Sequence, residues 1–273
     1  MYNQYVRMLA YSLFLQELWR KIMNIYESWI ATTPIAHRGL FGEKMPENSI
    51  AAFKNAIKNK LPIEFDVTCL VDGTPVVFHD EKLARMTGKD GFISGCSYKD
   101  IEKLTLCGTK ERIPTLEEVL KVVDGKVPIL ITIKNFGKVG IVEKAIWKVL
   151  QSYSGEYAVE SLNPYTLEWF KKNAPKVKRG QVSCFFKNKE ITGVKTFSLK
   201  RMLLNKKISE PNFIVYNAED MPNKYVKKYY GKLPIIACVL KNAEDEARVK
   251  DLCDNFLFDS YTPTALENAK KSK

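Results

Sequence analysis

From residue 32 onward, short β-like runs alternate with segments of helical period, and no other feature of the chain limits its fold as tightly. The strand-like runs are Thr33–His37, Ile63–Thr68, Pro75–His79, Pro128–Lys134, Tyr157–Ser161, Val177–Ser183, Asn212–Tyr216, Leu233–Val239 and Asn255–Asp259. Helical patterns fall at 49–59, 115–123, 138–152, 164–173, 198–205, 222–230 and 243–252. Strand, helix, strand in series gives a parallel sheet with helices outside it, since parallel neighbours need a crossover between them. So many units over about 240 residues predict an α/β fold, a (β/α)8 TIM-type barrel. Nine candidates for eight places mean that one strand is peripheral or that two form one irregular strand. The Asp72-Gly73 turn between the second and third is a hairpin-like break in the alternation. A doubly wound open sheet is the runner-up, but no G-x-G-x-x-G follows the first strand.

The first thirty residues follow a different pattern. Tyr11, Leu15, Leu18, Ile22, Ile25 and Trp29 recur at three- and four-residue steps, as in an amphipathic helix. The longest charge-free stretch, Met8 to Gln16, is shorter than the ~18 apolar residues of a membrane span. No small-residue cleavage site follows an apolar stretch, so no signal peptide is expected. The chain therefore divides into an N-terminal amphipathic segment, 1–31, and a barrel domain, 32–273.

Hydrophobic residues at 45% and charged residues at 27% exclude a disordered or collagen-like chain. The net charge of +12 is concentrated: residues 171–207 hold twelve Lys and Arg against the single acid Glu190. Such a block attracts phosphates and anionic lipid. Together with the amphipathic N-terminus it makes an anionic membrane surface an expected partner, so the protein would be cytoplasmic and peripheral to the membrane. No helix-turn-helix, zinc or RNA-binding signature accompanies it, and no nucleic-acid partner is expected. The six cysteines form no C-x-x-C pair and several sit in apolar runs, the pattern of buried free thiols in a reduced compartment.

Chemistry gathers at the strand ends. The only two histidines, His37 and His79, each close a strand candidate. In a barrel those ends face the active site, where two imidazoles can divide acid and base roles around one phosphoryl or acyl centre. In Ile63-Glu64-Phe65-Asp66-Val67, strand alternation puts Glu64 and Asp66 on one side and the apolar residues on the other. Paired carboxylates in an apolar strand repel unless a cation joins them, and hard oxygen ligands suit Mg²⁺ or Ca²⁺.

These residues also carry a resemblance. Ile35-Ala36-His37-Arg38-Gly39, Pro46-Glu47-Asn48-Ser49, Glu64-Phe65-Asp66-Val67, Asp72-Gly73 with Val76-Val77-Phe78-His79-Asp80, and Ile113-Pro114-Thr115-Leu116-Glu117-Glu118 stand in the order of a family signature. The chain resembles the glycerophosphodiester phosphodiesterases over roughly residues 33–263. The resemblance implies a barrel hydrolase that uses a divalent metal to cleave a glycerophosphodiester into sn-glycerol 3-phosphate and an alcohol. It implies His37 and His79 as the catalytic pair, of which we read His37 as the base and His79 as the acid. Arg38 and Lys134 would hold the phosphate, Glu64 and Asp66 the metal, and Glu47 would lie at the site's periphery.

Two positions depart from the family pattern. Where the family reads Glu-x-Lys on the fourth strand candidate, this chain reads Thr132-Ile133-Lys134, so Thr132 points into the site where a third carboxylate would stand. Glu160, at the end of the fifth strand, is the candidate substitute for that carboxylate, but its neighbour Ser161 occupies the family position and parity then sends Glu160 outward. On this reading Thr132→Glu should tighten divalent binding. The alternative function is a catalytically impaired member acting as a phospholipid- or phosphate-binding module. Cys238, where the family commonly carries tryptophan, removes a flat wall and leaves the alcohol open.

Overall fold

The computed structural model describes residues 25–135, 137–185, 208–264 and 266. Eight strands, all parallel, run in sequence around a closed ring: β1 (Ile35–Ala36), β2 (Ile63–Cys69), β4 (Ile129–Ile133), β5 (Tyr157–Ser161), β6 (Lys178–Ser183), β7 (Phe213–Asn217), β8 (Ile235–Leu240) and β9 (Asn255–Phe258). β1 pairs with both β9 and β2, which closes the (β/α)8 barrel. Helices α1 (Ile50–Lys58), α2 (Leu116–Val123), α3 (Ile141–Leu150), α4 (Pro164–Asn173), α5 (Lys224–Lys227) and α6 (Ala243–Val249) lie outside it. The expected helix at 198–205 and the amphipathic helix before residue 25 lie outside the described residues.

The ninth candidate is the peripheral one. β3 (Pro75–Val77) runs antiparallel to β2, with Val67 opposite Val77, so the Asp72-Gly73 turn closes a hairpin. His79 therefore does not end a barrel strand: the hairpin folds it back beside β2, where Phe78 N donates to Asp66 O at 3.0 Å. The stretch from β3 to α2 packs on its own small core of Leu70, Val76, Phe78, Leu83, Met86 and Ile101. Such a core fixes the hairpin and with it the position of His79.

Strand alternation sorts the barrel into two apolar regions. Phe65 and Val67 face outward and pack with Phe53, Val119 and Ile146 from the helices, all fully buried. Leu130, Ala158, Phe213, Ile236 and Leu257 face inward and form the barrel floor, which Ile25 and Ile30 cover from below. Asn255 Nδ2 ties that covering segment down by donating to Ile30 O (2.9 Å) and Thr33 O (2.7 Å). With the floor filled, the polar inward positions collect at the opposite, C-terminal rim, where barrel active sites lie.

Candidate active site

The turn after β1 supplies the first residues. Arg38 and Gly39 both have positive φ (57° and 81°), so the chain reverses at once and carries Arg38 across the barrel mouth. A Cβ at Gly39 would come within 2.9 Å of Phe53 Cδ1 and 3.0 Å of Ala52 backbone, and glycine alone fits there. Asn48 and Ser49 serve two ends of the same loop. Ser49 caps α1 by accepting from Ala52 N, while Asn48 Nδ2 donates to Asp66 Oδ2 at 3.1 Å.

Each histidine has its own carboxylate. His37 Nδ1 lies 3.1 Å from Asp259 Oδ2, just after β9, and its Nε2 lies 4.0 Å from Glu64 Oε2. His79 Nδ1 lies 2.7 Å from Asp80 Oδ1. Arg85 links that pair to the β1 loop by donating to both Asp80 and Glu47, and Arg38 Nη1 donates to Glu47 Oε1 at 2.7 Å. Arg85 thereby holds the Asp80 carboxyl down at about 2. The same two arginines outweigh burial and lower Glu47. His79 itself is lowered, first by burial and then by Lys134 and Arg38, which prevail over the opposing pull of Asp66.

Glu64 and Asp66 both point inward and are almost fully buried, as strand parity requires. Their surroundings differ. Asp66 has Arg38 Nε at 3.2 Å and Lys134 Nζ at 3.7 Å, and Lys134, His79 and Arg38 outweigh the cost of burial to hold its carboxyl low. Glu64 accepts from Arg38 N at 3.0 Å and faces Thr132, but burial and the neighbouring Asp66 raise it. Arg38 Nε is at ion-pair distance but off line for a hydrogen bond, leaving a buried donor without an acceptor.

Glu160 corrects the parity expected for β5. In the parallel ladder Thr132 stands opposite both Asp66 and Glu160, so all three side chains point into the barrel in one layer. Glu160 is 3% exposed, whereas Ser161 turns away to donate to Ile133 O. Thr132 Oγ1 lies 2.5 Å from Glu64 Oε1 and 2.9 Å from Glu160 Oε1. A hydroxyl has one proton, so the second contact requires a proton on a carboxyl. Burial, followed by the charge of Glu64, pushes Glu160 well above the ordinary carboxylate range. Cys238 lies close to the same acids, and burial followed by the charge of Glu160 pushes its thiol up.

All eight residues singled out from the sequence thus meet at one rim: His37, Arg38, Glu47, Glu64, Asp66, His79, Thr132 and Lys134. Sequence reasoning missed the supporting roles of Asp259, Asp80, Arg85 and Asn48 and the inward face of Glu160. An acid inside the short apolar run Tyr157-Ala158-Val159-Glu160 was the available signal for the last. Six carboxylates (Glu47, Glu64, Asp66, Asp80, Glu160 and Asp259) face three permanent cations (Arg38, Arg85 and Lys134). Among the described residues, no three His, Cys, Asp or Glu side chains already converge on one ligating point.

Fold and site together define a (β/α)8 barrel with two carboxylate-held histidines and buried acids at its C-terminal rim. The sequence model of the glycerophosphoryl diester phosphodiesterase family matches residues 37–220, and the chain belongs to that family. It is 40% identical over 163 residues to the glycerophosphodiester phosphodiesterase of Caldanaerobacter subterraneus subsp. tengcongensis, a match covering 55% of this chain and 65% of that protein. The matched stretch spans less than two thirds of the curated relatives' own length. Among solved structures, the fold is similar to an Oleispira antarctica phosphodiesterase in complex with its product sn-glycerol-3-phosphate (TM-score 0.73, 22% identity, 88% of this chain and 96% of that one). It is also similar to a glycerophosphodiester phosphodiesterase from Thermotoga maritima (TM-score 0.66, 21% identity, 89% of this chain and 98% of that one).

Proposed function

We propose that this chain is a phosphodiesterase that cleaves a glycerophosphodiester to sn-glycerol 3-phosphate and an alcohol. The observation that carries the reading is the pairing of His37 with Asp259 and of His79 with Asp80 near Asp66, whose own partners are Arg38 and Lys134. The phosphate sits against Arg38, whose buried Nε lacks an acceptor, and against Lys134. His37 takes the proton of the glycerol hydroxyl beside the phosphate, and Asp259 and Glu64 stabilise the imidazolium that forms. That oxygen bonds to phosphorus as the ester bond to the alcohol breaks, and His79 delivers its proton to the departing oxygen. Water then opens the cyclic phosphate, with the two histidines exchanging roles and each regaining its starting state. Arg38 and Lys134 neutralise the charge that builds on the phosphoryl oxygens.

The donor set fits a divalent cation such as Mg²⁺ or Ca²⁺: buried oxygens from Glu64 and Asp66, a surplus of acid over base, and one carboxylate oxygen, Glu160 Oε2, with no hydrogen-bond partner. Such a cation, when bound, supplies Lewis-acid stabilisation of phosphoryl charge. The test is release of sn-glycerol 3-phosphate from glycerophosphocholine, glycerophosphoethanolamine and glycerophosphoglycerol, each with Mg²⁺, Ca²⁺ or EDTA. Release from at least one diester, lost in EDTA, is expected. Saturable binding of the diesters without release would favour the binding-module alternative, for which the neutral Thr132 speaks.

A further inference from the structure

We infer that Glu160 on β5 is the third carboxylate of the divalent-cation site, taking the place that Thr132 leaves open on β4. The inference deepens the phosphodiesterase reading and rests on its cation. Three observations carry it. First, the ladder register sets Asp66, Thr132 and Glu160 side by side on adjacent strands, all facing inward. Moving a carboxylate from β4 to β5 in the same layer shifts it by one inter-strand spacing, about 4.8 Å, which the length of a glutamate side chain can span. Second, Glu160 is 3% exposed, and its Oε2 is a buried oxygen with no hydrogen-bond partner. A buried carboxylate oxygen left unpaired is costly, and such groups persist when they are paired or bind metal. Third, Thr132 Oγ1 contacts both Glu64 Oε1 and Glu160 Oε1, so the two acids are already joined through a single atom. The threonine is small enough to let the longer acid reach past it, and its hydroxyl orients both carboxylates.

A consequence concerns the family pattern at Thr132. A glutamate placed there would stand against Glu64 and Glu160 at the contacts Thr132 now makes, adding a fourth buried acid to three. Thr132→Glu alone therefore disrupts the site instead of improving it. The swap Thr132→Glu with Glu160→Thr returns the carboxylate to β4 and keeps the charge constant.

The deciding experiment titrates Mg²⁺, Ca²⁺ and Mn²⁺ into the full chain, reading heat of binding, the Mn²⁺ paramagnetic resonance signal and the shift in Tm. The unmodified chain is expected to bind and to gain Tm with cation. Glu160→Gln, which keeps shape and removes charge, should weaken Kd at least tenfold without lowering Tm in EDTA. The Thr132→Glu, Glu160→Thr swap should bind within a few-fold of the unmodified chain. Equal affinity in Glu160→Gln, or no divalent binding by the unmodified chain, would overturn the inference and mark Glu160 as a buried acid that serves only to hold Thr132. Turnover is read separately. Diester hydrolysis that survives EDTA would leave the phosphodiesterase reading standing while this one falls. Glu160-dependent cation binding without hydrolysis would do the reverse.

Discussion

At the scale of single residues, His79 carries a shift that its sequence position does not show. His79 is lowered by burial and by Lys134 and Arg38, so in the free protein it is mostly neutral at pH 7. If His79 must be protonated to serve as the acid, kcat/KM falls as pH rises, with a midpoint below the ordinary value of about 6.5. Asp80→Asn removes the hydrogen bond that partly supports the protonated form, so its midpoint should lie lower still. A midpoint unmoved by Asp80→Asn would contradict this assignment; the measurement is the pH profile of kcat/KM in both proteins. The sign for stability follows from the same shift. A histidine lowered in the folded state costs stability as pH falls through about 6.5, because the unfolded chain then binds the extra proton. Asp80, held at about 2, contributes stability that is present above about pH 4 and is lost as pH falls toward 2. Asp259→Asn should cost about 10²–10⁴-fold in kcat with Tm little changed, since His37 loses the charge that stabilises its protonated state.

At the scale of elements, the parity of β2 was legible because its apolar partners are bulky: Ile63, Phe65 and Val67 could only face the helices, which sends Glu64 and Asp66 inward. Phe65→Ala should therefore lower unfolding free energy by about 3–5 kcal/mol in denaturant melts, the usual cost of emptying a buried aromatic site. A change under ~1 kcal/mol would mean that the barrel–helix packing is not where the stability resides. The β5 parity was misread because it was anchored on Ser161, whereas Val159 packs outward in the helix-facing core and so fixes Ala158 and Glu160 inward. The antiparallel course of β3 was signalled by its Asp72-Gly73 turn but not decided by it. Pairing depends on which strand edge is free, and that is set by the β2–β4 ladder more than fifty residues later. The long-range ties through Asp259 and Arg85 were invisible for the same reason: their partners, His37 and Glu47, lie 222 and 38 residues away.

At the scale of the whole molecule, alternation of strand and helix was enough to give the barrel, and the residues singled out from the sequence meet at its C-terminal rim although His79 reaches it from a peripheral hairpin. The charge excess is a separate matter. No helix among the described residues is long and apolar enough to cross a membrane, while residues 171–207 concentrate twelve basic side chains against one acid. Each basic side chain near an anionic leaflet adds about 1 kcal/mol, screened by salt. Co-sedimentation with phosphatidylglycerol vesicles should exceed that with neutral ones and fall as salt rises from 0.05 to about 0.5 M. Equal recovery with both lipids would confine the basic block to solvation. The catalytic claim is tested most directly by ³¹P resonance spectra of glycerophosphocholine incubated with Mg²⁺ and the unmodified chain, His37→Ala or His79→Ala. The unmodified chain should convert the diester signal to that of a monoester, and each variant should lose at least 10²-fold in rate while its Tm is retained. Full turnover by either histidine variant, or none by the unmodified chain, would contradict the account.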